Sequence, residues 1–509
     1  MSAAYAQGVK LSSRGRHAEA IVQFEQALAL APEDIKVLFA LGNTAGQLGL
    51  AGPAEQFYRR VLAQDPCRKE AIVNLANLLR AAGQYDAAIA LLIPAVAREP
   101  RSPELQLTLG SAWREKGDPQ RATAHYQAAL IAGPAYAPAL ANLADMLSDA
   151  GDREAARTLY DKAIRCDPHN PQARLNRAVL HLLNGDLKDG WRDYGARVDV
   201  PGKVPRPAGE QRLAAWTGDS LKNKRLLVRS EQGVGDQILF ASLLPDLAAR
   251  AKAEGGSLLL ECEPRLVSLF ARSFPKAQVR PAAIKTIGGV PLADYGWLKA
   301  AGGANAAILM GSLPRYLRAA PDAFPKPHVF LTPDKDEVAG WKNIFGEKAP
   351  ASSSEAVGHK RIGISWRSGK ASGGDRGLQY APLESWAAFL CNTDASFVCA
   401  QYDATGEEIA ALEQMSGRKM IVPQGLDQKN ELDRTCAMLA ALDLVISAPT
   451  AVSWLAAGAG VRTFKLLYAP VWTAMGCDYE PFAPSCEGIV SSTPGDWADV
   501  FNQVATKLS

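Results

Sequence analysis

The chain has 509 residues, 48% of them hydrophobic and 21% charged, a composition typical of soluble globular proteins. This length is too great for one core and predicts two to four domains. A formal net charge of +3 is too small to attract nucleic acid or an acidic membrane surface by bulk electrostatics. The eight cysteines are scattered without metal-binding spacing. No apolar run approaches the ~18–20 residues that span a bilayer, and the amino terminus lacks a signal-peptide pattern. These features predict a cytoplasmic protein with reduced thiols.

Residues 1–204 carry a pattern that repeats every 34 residues. Small and large side chains follow the same register as the glycines and prolines that mark it. The positions are Gly15, Gly49, Gly83, Gly117, Gly151 and Gly185; Pro32, Pro66, Pro100, Pro134 and Pro168; Ala20, Ala54, Ala88, Ala122, Ala156 and Gly190; and Phe24, Tyr58, Leu92, Tyr126, Tyr160 and Tyr194.

This period predicts about six tetratricopeptide units, each a pair of helices with the glycine at the turn between them. The proline follows the second helix, since it cannot donate a helical hydrogen bond. A single helix pair cannot bury its apolar face alone, so the units are expected to stack into an all-α solenoid. We expect the solenoid to bind a protein partner; the alternative is a structural spacer.

The sixth unit ends in a further motif, G-D-x-x-x-G-W-x-x-Y, between Gly185 and Tyr194. The Pro- and Gly-rich stretch at 201–209 follows it and predicts a connector.

An apolar run and a glycine turn occupy residues 225–245. Arg225–Arg229 predicts a short buried strand, and Gly233 and Gly235 allow a tight turn before a helix that runs to Pro245. This order places Asp236 at the carboxyl edge of a parallel sheet, where open α/β folds bind ligands. Asp236 is therefore a candidate functional residue; the alternative is a helix cap alone.

From Lys224 onward, short apolar runs alternate with helical stretches, which predicts parallel sheets covered by helices. The small, polar segment 346–360 predicts a linker between two Rossmann-like halves, 205–345 and 361–509. The predicted strands are Leu258–Glu261, Val329–Leu331, Arg361–Trp366, Phe397–Ala400, Leu444–Ile446 and Thr463–Leu467.

A second candidate site follows the strands of the second half. Thr450 is placed to cap the helix that begins at Ala451, and the free N–H groups of such a helix start favour a phosphate. The basic residues of one loop could offset its charge. The alternatives are a purely structural cap and a solvated loop. The residues at these strand ends are Ser365, Trp366, Arg367, Lys370, Arg376, Gln401, Tyr402, Ser447, Thr450 and Ala451.

The run R-L-L-V-R-S-E-Q-G-V-G-D-Q-I-L-F-A-S-L-L-P resembles the start of the catalytic region in bacterial tetratricopeptide-repeat glycosyltransferases, which are related to heptosyltransferases and share the two-Rossmann GT-B fold. The motif ending at Tyr194 also resembles this family, as do Leu309–Pro314, Arg361–Trp366, Ala441–Ile446 and Glu480–Ser485. Within the family, the S-A-P-T turn and Phe464–Lys465 resemble the FlmG-type flagellin glycosyltransferases, and Lys465 joins the expected donor contacts.

The resemblance implies transfer of a sugar from a nucleotide donor, bound by the second half, to an acceptor on the first. It implies that Asp236 is the catalytic base and that the acceptor loop contains Gln232, Gly233 and Gly235. A Ser or Thr hydroxyl is a weak nucleophile and needs such a base. The fold class implies no metal and no cofactor beyond the nucleotide-sugar. The implied partner is a polypeptide recruited by the repeats, with flagellin as the expected acceptor.

Two residues depart from the relatives' pattern V-D-T-x-x-x-H. Pro449 stands in place of the acidic donor contact, and Trp454 stands in place of the histidine. Losing a carboxylate beside the sugar suits an anionic donor, such as a CMP-linked nonulosonic acid. The alternatives are a scaffold or chaperone-like adaptor without activity, and a transferase that acts on a glycan acceptor.

Overall fold

The computed structural model describes residues 2–208, 213–287, 290–326, 328–347, 360–369 and 379–508. Lys370, Arg376 and residues 348–359 of the expected linker lie outside the described residues. The chain divides into two compact units. One comprises Met1–Arg177 with Thr286–Pro291, and the other comprises Ala178–Lys285 with Leu292–Ser509. Among the described residues, no helix is long and apolar enough to cross a membrane.

The repeat array is built of helix pairs, as the 34-residue period predicts. Its helices are α1 (Ser2–Ser12), α2 (His17–Leu30), α3 (Ile35–Gln47), α4 (Ala51–Gln64), α5 (Lys69–Ala81), α6 (Tyr85–Arg98), α7 (Pro103–Lys116), α8 (Pro119–Ala132), α9 (Ala137–Asp149), α10 (Arg153–Cys166) and α11 (Pro171–Leu183).

The glycine of each repeat turn has a left-handed backbone, with φ between 73° and 89° from Gly15 to Gly151. A residue with a side chain would be strained there, which explains the recurrent glycine. The small residue after each turn is fully buried, as at Ala54, because the paired helices approach closely. The same close approach is seen at Gly42, where an added Cβ would lie 2.7 Å from Tyr58 Cε1.

The second unit begins inside the sixth repeat and contains the α/β part of the chain. Its helices are α12 (Leu187–Tyr194), α13 (Val234–Ala241), α14 (Leu244–Ala253), α15 (Val267–Ser273), α16 (Pro314–Leu317), α17 (Lys335–Glu347), α18 (Leu383–Cys391), α19 (Gly406–Ser416), α20 (Leu432–Ala440), α21 (Ala451–Gly458) and α22 (Trp497–Leu508). The strands of the chain are β1 (Arg206–Pro207), β2 (Ala214–Ala215), β3 (Arg225–Arg229), β4 (Ser257–Cys262), β5 (Ala277–Pro281), β6 (Ile284–Ile287), β7 (Val290–Ala293), β8 (Ala306–Leu309), β9 (Arg361–Ser365), β10 (Ser396–Cys399), β11 (Met420–Ile421), β12 (Leu444–Ser447), β13 (Thr463–Leu467) and β14 (Cys486–Val490). All belong to the second unit except the parts of β6 and β7 that fall within Thr286–Pro291.

Two parallel sheets carry the two halves. The first has the order β2-β8-β3-β4-β5 and the second β11-β10-β9-β12-β13-β14; a small third sheet has the order β1-β7-β6. All the strand pairs within the two large sheets are parallel. In the first sheet the chain proceeds from β3 to β4 and β5 on one side, and β8 then pairs with the other side of β3. In the second sheet it proceeds from β9 to β10 and β11, and β12 then pairs with the other side of β9. The resulting crevices, between β3 and β8 and between β9 and β12, are where open α/β folds bind ligands.

Some of the predicted elements need correction. The helix after Asp236 does not end at Pro245: α13 ends at Ala241, and α14 carries Pro245 in its first turn, where a missing N–H costs nothing. The segment Val329–Leu331 is not a strand, because the N–H groups of Phe330 and Leu331 both donate to the carbonyl of Gly458 at the end of α21. The strands predicted from the alternating pattern also do not include β5, β8 and β14, whose short sequences contain polar or small residues among the apolar ones.

Candidate functional site

Asp236 lies in the first turn of α13, directly after β3 and its loop. The backbone N–H of Gly233 donates to Asp236 Oδ2 at 3.2 Å, so the carboxylate closes the start of the helix. Burial raises the pKa of the Asp236 carboxyl, and the charge of Glu231 adds to the effect, while the Gly233 N–H and Lys203 oppose it. A carboxylate that keeps its proton more tightly is a stronger base once ionised. The cap geometry and a catalytic role are therefore compatible.

A buried ion pair holds the loop that precedes Asp236. Arg197 donates to both carboxylate oxygens of Glu231, at 2.6 and 2.9 Å, and each side chain is only 1% exposed. Glu231 also accepts the N–H of Gly311 at 2.8 Å, and Arg197 donates to Ser312 Oγ at 2.8 Å. Gly311 and Ser312 follow β8. The pair thus ties the ends of β3 and β8 together at the crevice of the first sheet.

The G-W-x-x-Y motif of α12 packs directly on this loop. The Tyr194 hydroxyl lies 3.0 Å from Gln232 Nε2, and its ring lies 4.6 Å from the guanidinium of Arg197. The ring of Trp191 contacts Tyr194, and it also contacts Trp472 and Phe482 of the second half. This motif therefore belongs to the second unit and bridges the two α/β halves.

The strand ends of the second half form one row, as their positions in the sequence predict. Ser447 pairs in register with Ser365 on one side and with Lys465 on the other. Thr450 caps α21, and its side chain accepts the N–H of Val452 at 3.4 Å. The helix start and the row of strand ends thus share the carboxyl edge of the second sheet.

The two candidate sites meet at Gly235. A Cβ added to Gly235 would lie 3.6 Å from Trp454 Cδ1 and 3.7 Å from the backbone N of Ala451. The first turn of α13, which carries Asp236, is thus in van der Waals range of the first turn of α21. Glycine at this position permits that approach. Sequence reasoning placed the two sites at matching sheet edges, and the structure brings them side by side.

Gln401 fixes the loop after β9 through its side chain. Its Oε1 accepts the backbone N–H groups of Trp366 and Arg367, at 2.9 and 3.0 Å, and the residue is only 2% exposed. Its Nε2 donates to the carbonyl of Arg367 at 3.0 Å and to Asp403 Oδ1 at 2.7 Å. Ser365 Oγ lies 3.1 Å from the same Oε1. These contacts make Ser365 and Gln401 supports of the loop.

Arg367 is not the free cation that its place in a basic loop predicts. Its guanidinium donates to Glu408 at 2.6 and 2.8 Å and to Asp403 Oδ1 at 3.0 Å. The bonds to Glu408 raise the pKa of Arg367, and they lower the pKa of Glu408 to about 2. Trp366 is buried beside this cluster, and the Tyr402 hydroxyl accepts the N–H of Gly369. Two carboxylates thus compensate the charge of Arg367.

Lys465 is likewise engaged within the protein. It is 2% exposed, forms an ion pair with the buried Glu480, and donates to Thr473 Oγ1 at 3.2 Å. Its ammonium lies 4.4 Å from the centre of the Trp454 ring. The residue that replaces the expected histidine therefore packs against a lysine whose charge Glu480 neutralises.

Sequence reasoning missed three buried charges, Arg197, Glu231 and Glu480, that organise this region. Their neighbours in the sequence are polar as well as apolar, and partners far apart in sequence cannot be paired from spacing alone, so no local pattern marked them. Asp334 and Asp336, which form a D-x-D sequence, lie at the start of α17, where Asp334 accepts the N–H of Asp336. Within the described residues, no cluster of three or more His, Cys, Asp or Glu side chains could hold a metal ion.

Models of tetratricopeptide repeats match residues 5–66, 73–137, 114–173 and 159–191. The protein FlbA of Caulobacter vibrioides is 31% identical over 498 residues, a match that spans 97% of this chain and 82% of FlbA. The human protein O-mannosyl-transferase TMTC1 is 27% identical over 186 residues, 36% of this chain and 21% of TMTC1.

Among solved structures, a thermophilic tetratricopeptide-repeat protein of Thermus thermophilus is 24% identical and covers 39% of this chain and 98% of its own, with a TM-score of 0.31.

Proposed function

The chain belongs to the family of the Caulobacter protein FlbA, and from this premise we propose that it is a protein O-glycosyltransferase of the GT-B fold. It transfers a sugar from a nucleotide donor to a Ser or Thr hydroxyl of a polypeptide that the repeats recruit. Tetratricopeptide arrays typically bind protein partners, which supports the assignment of acceptor binding to the repeats. TMTC1, which matches part of the chain, is named a protein O-mannosyl-transferase and supports the class of reaction at a coarse level.

The observation that carries the proposal is the approach of α13 to α21 at Gly235. Asp236, whose carboxylate is partly buried, is the next residue in the turn of α13 that reaches the start of α21. Group transfer from a nucleotide-sugar needs both groups within the length of one substrate. One group accepts the proton of the attacking hydroxyl, and the other stabilises the phosphate that leaves.

In the proposed reaction, the acceptor hydroxyl attacks the anomeric carbon and Asp236 takes its proton. The bond from that carbon to the phosphate oxygen breaks, and the phosphate keeps the electron pair. The N–H groups of the α21 turn stabilise its charge through the helix dipole. The loop with Lys370 and Arg376 is the proposed source of further positive charge, because Arg367 is already paired. The reaction as proposed needs no metal.

The proposed donor is a CMP-linked nonulosonic acid, and the proposed acceptor is flagellin. The turn before Thr450 presents Pro449, which is exposed, where the resemblance places a carboxylate. An anionic sugar would meet no repulsion from that side chain. Isothermal titration with CMP-linked and UDP-linked sugars tests the donor: tight binding of the UDP-sugar alone contradicts the CMP assignment.

A second candidate function is a binding adaptor without transferase activity. The observation that favours it is the compensation of Arg367 by Asp403 and Glu408, which removes one expected phosphate ligand. The two functions separate by intact-mass measurement of flagellin from cells that express the wild type, the Asp236→Asn variant or no copy of the chain. A transferase gives a sugar mass with the wild type only. The same mass in all three strains refutes the transferase.

A further inference from the structure

A cavity with an aromatic lining lies at the carboxyl edge of the second sheet. Its volume is about 620 Å³, within the roughly 300–1,000 Å³ that is usual for small-molecule sites. Its four aromatic side chains come from four separate segments: Trp366 after β9, Tyr380 before α18, Tyr468 after β13 and Trp497 at the start of α22. The fold of the second half therefore brings these rings together around one space.

The cavity lies on the opposite face of the sheet from the proposed phosphate site. Ile364 and Trp366 belong to one core cluster with residues of α18 and α22. Ser365, between them, has its side chain on the other face, because side chains alternate along a strand. Lys465 shares that face through the register across β12, and it packs there on Trp454 of α21. The cavity is thus separate from the helix start assigned to the donor phosphate.

The cavity offers no free charge to a ligand. The charged side chains of its described lining are Arg367 and Glu408, which are bonded to each other at 2.6 and 2.8 Å. A carboxylate has about four acceptor sites, and Trp366 Nε1 and the N–H of Thr405 take the other two of Glu408. Asp403 also bonds to Arg367, so one cation and two carboxylates leave a net charge of −1 that repels an anion. An ammonium finds no open oxygen on Glu408, and a neutral ligand fits best.

The aromatic rings are edged by hydrogen-bonding groups that have no partner. Trp497 is 9% exposed, and its indole N–H is unbonded among the described residues. This nitrogen is not cut off from solvent, in contrast to the indole nitrogens of Trp191 and Trp386. The hydroxyls of the half-buried Tyr380 and Tyr468 are likewise unbonded within the described part of the chain. The cavity therefore presents both apolar ring surface and groups that donate and accept hydrogen bonds.

Two of the rings form a preformed platform. The ring centres of Tyr468 and Trp497 lie 6.4 Å apart, and their planes are inclined by 50°. Tyr468 also packs on the backbone of Gly495, where an added Cβ would lie 2.9 Å from Tyr468 Cε2. Side chains that are already held in place lose little freedom when a ligand binds.

We propose that this cavity binds a neutral pyranose sugar. The C–H face of such a ring is apolar and packs against the platform of Tyr468 and Trp497. The hydroxyls at its edge accept from the Trp497 N–H and exchange hydrogen bonds with the hydroxyls of Tyr380 and Tyr468. The inference goes beyond the proposed function, because it needs neither a nucleotide nor a transfer step. It gives the second half a separate glycan-binding site.

The test titrates the full-length protein with the methyl glycosides of glucose, galactose, mannose and N-acetylglucosamine. Saturation-transfer difference NMR and tryptophan fluorescence follow binding. We expect saturable binding of at least one of these sugars. Cyclohexylmethanol, cytidine and the uronic acid and amino-sugar analogues of the best ligand should each bind at least about fivefold more weakly, as for the loss of one hydrogen bond or more.

Variants of the lining locate the binding. Tyr468→Ala should weaken binding of the best sugar about tenfold, because half of the platform is lost. Trp497→Phe, which keeps a ring and removes the N–H, should weaken it about threefold, and Tyr380→Phe should have a similar effect. The matched control is Tyr479→Ala, which removes a half-buried tyrosine outside the cavity and should leave sugar affinity unchanged.

The absence of saturable binding for all four sugars overturns the inference. So does tighter binding of cytidine or cyclohexylmethanol, unchanged affinity in both Tyr468→Ala and Trp497→Phe, or an equal effect of Tyr479→Ala. Sugar binding is measured without any transfer. Binding as expected by a protein that leaves flagellin unmodified would refute the proposed function alone, and modified flagellin without sugar binding in the cavity would refute the inference alone.

Discussion

Removing one partner of the Arg197–Glu231 pair should destabilise the second unit more than neutralising both. In Arg197→Met, the carboxylate of Glu231 stays buried but loses the two bonds from the guanidinium, at 2.6 and 2.9 Å. Only the N–H of Gly311 and a longer contact from Gln232 remain to it. Breaking a buried ion pair in this way costs about 3–5 kcal/mol.

The double variant Arg197→Met/Glu231→Gln should be more stable than Arg197→Met by about 2 kcal/mol. It buries no charge, and the glutamine oxygen can still accept the Gly311 N–H. The second unit holds nine of the ten tryptophans, since only Trp113 lies in the first, so tryptophan fluorescence during urea unfolding reports mainly on it. A loss below about 1 kcal/mol in Arg197→Met, or a double variant less stable than the single one, would refute the reasoning.

Three further predictions follow from contacts and charges described above. Asp236→Asn should abolish transfer yet raise the melting temperature by about 1–3 °C at neutral pH, because burial raises the pKa of Asp236 and so makes its ionised form destabilising above that pKa. The wild-type transfer rate should rise with pH around a midpoint above 3.8, the ordinary pKa of an aspartate, and a midpoint at or below 3.8 would contradict this. Gly42→Ala should destabilise the repeats by about 1–3 kcal/mol, because the added Cβ clashes with Tyr58. Gly46→Ala, whose added Cβ has nothing within 4 Å, should instead stabilise α3 by up to about 1 kcal/mol. Circular dichroism during unfolding measures both changes, and equal effects of the two variants would refute the packing argument. Thr450→Val should cost about 1 kcal/mol through the lost cap and weaken binding of the nucleotide donor in titration calorimetry, and unchanged affinity would remove the α21 turn from the proposed site.

Periodicity alone was enough to predict the repeat array. Each 34-residue unit repeats the same local requirements: a left-handed glycine, a small residue and a large one. The backbone at Gly49 and the burial of Ala54 follow directly from them. Because each unit contacts mainly its neighbours, little of this architecture depends on residues far away in sequence.

The sequence by itself also determined that Asp236 follows a strand and a glycine turn and that Thr450 caps a helix. Strand and helix boundaries of this kind depend on residues within a few positions of each other. Only the tertiary structure decided that Gly235 brings these two helix starts together, that Arg367 and Lys465 are neutralised, and that α12 packs on the acceptor loop. Each of these depends on residues between 15 and 219 positions apart along the chain, from Lys465–Glu480 to Gly235–Trp454. The packing of the two sheets sets these contacts, and they leave no local pattern.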